Sequence, residues 1–226
     1  MVFADIRYEA RPMKLRINNK DMAALFDKAK WTFSLTAEEL LYLKSTLNEI
    51  ETCSWQEDSS LGIHNGIAAF GLCTKPTEDN IALIEKFINT EAFCDSITAT
   101  ALKVLCSNSY WNLAAKYEDL LCKFINIDDE TYEETIRTAV SCMGSYYHTT
   151  KNKTYISLLL SLFNKALSTY CDDGFQTPDI ETLYNSLESV IWGNEYPKDR
   201  RVTFGDMKIP DDISEEVIKR IQSIIQ

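Results

Sequence analysis

The sequence predicts an all-α fold, an array of about ten helices stacked as antiparallel hairpins, and three observations predict it. Leu83-Ile84-Glu85-Lys86-Phe87-Ile88-Asn89 returns as Leu120-Leu121-Cys122-Lys123-Phe124-Ile125-Asn126, 37 residues later, and more weakly as Leu159-Leu160-Ser161-Leu162-Phe163-Asn164. A second motif keeps step with the first: Gly66–Cys73 is echoed by Ala99–Cys106 and by Arg137–Gly144, at offsets of 33 and 38. Finally, 7 Gly and 5 Pro in 226 residues leave little turn chemistry for an all-β chain. Each copy of the second motif (A) falls one helix upstream of a copy of the first (B). A hairpin recurring at 33–39 residues cannot bury its apolar face alone, so neighbours must stack into a solenoid. Ala69, Ala101 and Ala139 in the A copies are small enough to let one helix approach the next, and Gly66 and Gly71 read as further close-packing positions.

The elements follow in order. Residues 1–20 alternate apolar and polar on both sides of Pro12 and are read as a short hairpin or extended arm, with a loosely packed disordered leader as the alternative. Asp21 to Trp31 is a short helix. Thr36-Ala37-Glu38-Glu39 is a capping box, opening a helix with Leu40, Leu43, Leu47 and Ile50 on one stripe. After the polar loop 56–60 come the first A helix and a first B helix from Asn80 to Glu91. Asp95 is expected to cap the next A helix, 96–106, and Tyr110 to Ile125 to form the second B helix. Thr131 and Glu134 suggest a second capping box, for the third A helix. Residues 145–152 read as the longest A–B turn, and Lys153 to Tyr170 as the third B helix. Thr177-Pro178 starts a helix that ends near Trp192, with Gly193 as its cap. Residues 194–211 form a long loop in which Val202-Thr203-Phe204 could add a short strand. A last helix, 212–226, closes the array with Ile213, Val217, Ile221 and Ile224 inward. The whole is read as one domain, with the helical array over 21–193.

Charge and cysteine usage restrict function. The net charge is −11, which disfavours a nucleic acid or an anionic membrane and permits a basic protein partner. The acid is uneven: residues 1–31 carry +3 and the remainder −14. No apolar run reaches the length of a membrane span, and the charged N-terminus lacks the apolar core of a signal peptide. Seven cysteines in no CxxC pairing, four of them (Cys73, Cys106, Cys122, Cys142) on apolar helix faces, suit a reducing compartment, and the protein is read as cytoplasmic.

Chemistry is sparse. There are two histidines, His64 and His148, no HExxH, no zinc-ligand spacing and no phosphate-cradling glycine loop. Cys142 and His148 lie close in sequence, but Cys142 falls on a packing face. The pairs Asp128/Asp129 and Asp172/Asp173 sit at helix ends, where acids complement the macrodipole. No catalytic role, cofactor or metal is expected. Binding features are richer. Glu57, Asp58, Asp128, Asp129, Glu130, Glu133, Glu134, Asp172 and Asp173 form acidic clusters, and Tyr146 and Tyr147 sit in the predicted turn beside them. Aromatics anchor and carboxylates steer, so these residues are the candidate contacts for a basic partner. Trp111 and Trp192 read instead as local packing.

The hairpins over about residues 60–193 resemble HEAT/armadillo-type repeats. That resemblance implies a curved, right-handed α-solenoid that serves as a protein-binding surface. In size, acidity, reduced cysteines and lack of a catalytic set, the chain also resembles small acidic bacterial immunity proteins, the cytoplasmic inhibitors of contact-dependent-inhibition toxins. This implies a protein that neutralises a basic toxin, for instance a nuclease domain. A general helical-repeat adaptor or assembly subunit is the alternative, and an enzyme comes last.

Overall fold

The computed structural model describes residues 18–50, 60–88, 93–126, 132–169, 180–193 and 211–226. These residues form ten α-helices and, among them, no strand. The helices are α1 (Asn19–Thr32), α2 (Ala37–Glu49), α3 (Ser60–Cys73), α4 (Glu78–Glu85), α5 (Asp95–Cys106), α6 (Glu118–Ile125), α7 (Glu133–Thr150), α8 (Thr154–Thr169), α9 (Ile180–Trp192) and α10 (Asp211–Ile225). A 3₁₀ turn, Lys86–Ile88, extends α4. The expected strand over 202–204, most of the N-terminal arm and nearly all of the loop 194–211 lie outside the described residues.

The odd helices pack on one another in chain order: α1 on α3, α3 on α5, α5 on α7, α7 on α9. The even helices lie against this series, with α2 on α3, α4 on α5, α6 on α7, and α8 and α10 on α9. All three A copies fall on odd helices and all three B copies on even ones. The repeat alanines Ala69, Ala101 and Ala139 are fully buried, as are Phe87, Phe124 and Phe163, the aromatic of each B copy. Small residues admit close approach where odd helix meets odd helix. A Cβ placed on Gly71 would lie 2.6 Å from Val104 Cγ1, and one on Gly144 would lie 2.7 Å from the Ser186 carbonyl oxygen. The periodicity thus marks where helix backbones come together.

The caps decide where several helices begin and end. Thr36 Oγ1 accepts the Glu39 amide at 3.2 Å and Glu39 Oε2 accepts the Thr36 amide at 2.7 Å, completing the predicted capping box. Leu43, Leu47 and Ile50 of the predicted stripe are buried and Leu40 half-buried. Gly193 takes a left-handed φ of 62° after α9, as a C-terminal glycine should.

Other expectations need correction. Asp95 does not cap α5. The N-cap there is Cys94, which makes no side-chain cap bond. Asp95 reaches instead to the next odd helix, where its carboxylate accepts the amides of Glu134 at 2.7 Å and Thr135 at 2.8 Å. This also displaces the expected Thr131–Glu134 box: Thr131 lies outside the described residues, and the amide it would use is given to Asp95. The reason is chemical, because an ionised carboxylate takes two orphan amides more strongly than one hydroxyl can.

The second B helix is shorter than its apolar pattern suggests, starting at Glu118 rather than Tyr110. Residues 107–117 wrap the end of α5: the amides of Trp111 and Leu113 donate to the Val104 and Leu105 carbonyls at 3.2 and 2.8 Å. Asn112 turns the chain with φ 56°, and Trp111 Nε1–H donates to the Thr74 carbonyl at 3.0 Å. The first B helix opens earlier than expected, on the Thr77 cap. The predicted turn at 145–152 is mostly helix, since α7 continues to Thr150 and stops at Lys151 with φ 56°.

Candidate partner-binding surface

The predicted contacts separate into three groups. Glu57, Asp58, Asp128, Asp129, Glu130, Asp172 and Asp173 lie outside the described residues. Glu133 and Glu134 stand in the first turn of α7. Glu134 is exposed, whereas Glu133 forms an i,i+4 pair with Arg137 along its own helix. Tyr146 and Tyr147 lie near the other end of that helix. Thirteen residues at 1.5 Å each put them roughly 20 Å from Glu133 and Glu134, so acid and aromatics do not form one cluster.

Tyr146 is a correction. It is 3% exposed, and its hydroxyl donates to Glu118. Its ring meets Tyr155 edge-on at 6.1 Å. The apolar side of α7 runs on past Gly144, so the tyrosine is carried inward with it. Tyr147 is half-buried against the core, with the Lys151 ammonium 5.1 Å from its ring centre. Trp111 is buried as local packing, 6.4 Å from Phe70. Trp192 is covered by the Arg220 guanidinium at 4.9 Å, which ties α9 to α10.

Tyrosine and glutamate instead link the even helices to one another. Tyr117 and Tyr155, 38 residues apart, stand at the starts of α6 and α8. Each hydroxyl donates to a glutamate one even helix back: Tyr117 to Glu85 at 2.5 Å, Tyr155 to Glu118 at 2.6 Å. The Tyr117 hydroxyl, aided by the nearby Lys116 ammonium, holds the Glu85 carboxyl below the usual range. Burial, and then Glu85, push the Tyr117 phenol up, while at Tyr155 the Glu118 hydrogen bond is the larger cause. Further back, Lys86 Nζ donates to the carbonyls of Leu47, Asn48 (3.2 Å) and Ile50 (3.0 Å), closing the C-terminus of α2.

Among the described residues no group of three or more His, Cys, Asp or Glu is placed to hold a metal ion, and no helix is long and apolar enough to cross a membrane. Five described cysteines are free thiols. Burial pushes Cys142 up to about 12 and raises Cys73, Cys106 and Cys122 as well. Such thiols stay protonated near neutral pH and are poor nucleophiles. His64 Nδ1 lies 2.5 Å from Thr100 Oγ1, which is also 2.8 Å from the Ser96 carbonyl oxygen.

The exposed apolar surface lies elsewhere, where sequence reasoning did not look. The large exposed hydrophobics among the described residues are Trp31, Phe33, Leu41, Tyr42 and Leu61, all in the first three helices or their connections. One signal was available: Leu41 and Tyr42 fall off the Leu40–Leu43–Leu47 stripe, where apolar residues have no core to enter. No protein-family model, curated protein or solved structure matches the chain.

Proposed function

We propose that the chain is a non-catalytic helical-repeat module whose acidic surface binds and neutralises a basic protein, best read as a toxin of nuclease type. The arrangement proposed is a HEAT-like solenoid of antiparallel hairpins, with the odd helices as one layer and the even helices as the other. The ordered packing of α1, α3, α5, α7 and α9, and the tyrosine links between even helices, support it.

The observation that carries the binding reading is the charge: −11 over the whole chain, with −14 on the residues after position 31. Exposed acids stand along the chain: Asp21, Asp27, Glu38, Glu49, Glu78, Asp79, Asp119, Glu134 and Asp212. Such a surface draws a basic protein by long-range attraction and repels phosphate.

The test is capture with the tagged full chain from its native host, washed at low and high salt, followed by an activity assay of whatever is bound. One stoichiometric basic protein, silenced in the complex and associating more slowly as salt rises, is the expected result. Several substoichiometric partners would favour a general adaptor. Tight binding of nucleic acid at moderate salt would overturn the reading.

A further inference from the structure

We draw no further inference here: the strongest candidate, the exposed apolar side chains of Trp31, Phe33, Leu41 and Tyr42 about the connection from α1 to α2, carries nothing because nothing in the structure shows what covers them.

Discussion

Asp95, in the first turn of α5, hydrogen-bonds the backbone amide of Thr135, in the first turn of α7, at 2.8 Å. The same carboxylate takes the Glu134 amide, and the Asp95 carbonyl accepts the Thr135 hydroxyl at 3.3 Å. One odd helix thereby supplies the cap that the next lacks, since the α7 N-cap, Tyr132, makes no side-chain cap bond. Replacing Asp95 by Ala should cost about 1–2 kcal/mol, the loss of a good N-cap. Asp95→Asn, which keeps one acceptor oxygen, should cost less. Urea denaturation of the three proteins checks this, and equal midpoints would show that the cap is idle.

The glycines of the odd helices differ in what surrounds them. A Cβ on Gly144 would meet the Ser186 backbone at 2.7 Å, and backbone in a packed helix cannot step aside. Gly144→Ala should destabilise by roughly 2–3 kcal/mol or more, as overpacking does. A Cβ on Gly66 would meet the Met22 sulfur at 3.3 Å, the flexible part of an unbranched side chain. Gly66→Ala should be near neutral, because the helix propensity gained, up to about 1 kcal/mol, offsets the adjustment. Thermal melts of the two variants should fall on opposite sides of about 5 °C below wild type.

Acid should weaken the link between α4 and the start of α6. Glu85 has its folded carboxyl lowered, first by the Tyr117 hydroxyl and then by Lys116. A lowered carboxyl contributes stability that is present above its unfolded value and lost as pH falls through the folded one. Tyr117→Phe should therefore lower stability at neutral pH and flatten the acid limb of the stability–pH curve. Parallel curves for variant and wild type below neutral pH would contradict this.

Thiol reactivity should report burial directly. Cys106 and Cys142 are buried, and Cys142 is pushed up to about 12. In the native protein at pH 8 both should resist alkylation on a timescale where denatured chain reacts fully. Peptide mass spectrometry after a timed pulse gives the answer, and rapid native labelling of Cys142 would place it nearer the surface than its packing implies.

The legible part of this fold is what repeats. Ala69, Ala101 and Ala139, and Phe87, Phe124 and Phe163, could be located from spacing because each repeat must solve the same packing problem. Partnerships between repeats were not legible. Asp95 looked like a local cap because its reach to a helix about 40 residues away leaves no local trace. Tyr146 reads into the 145–152 turn after the A copy that ends at Gly144, whereas Gly144 is a contact point within a continuing helix. Residues 110–117 carry a helical apolar pattern, yet Trp111 and Leu113 bond to the end of α5 instead. The exposure of Trp31 and Phe33 was not legible because exposure depends on where the rest of the chain lies. Only Leu41 and Tyr42, off the Leu40–Leu43–Leu47 stripe, carried a local signal of exposure.

The central claim, that this acidic array recognises one basic protein, is tested most directly by titrating the captured partner into the purified full chain at about 50 and 500 mM salt. The account predicts a one-to-one complex whose association slows and whose affinity falls by an order of magnitude or more across that range, with the partner's activity lost in the complex. Binding that ignores salt, or a partner that stays fully active when saturated, would contradict it.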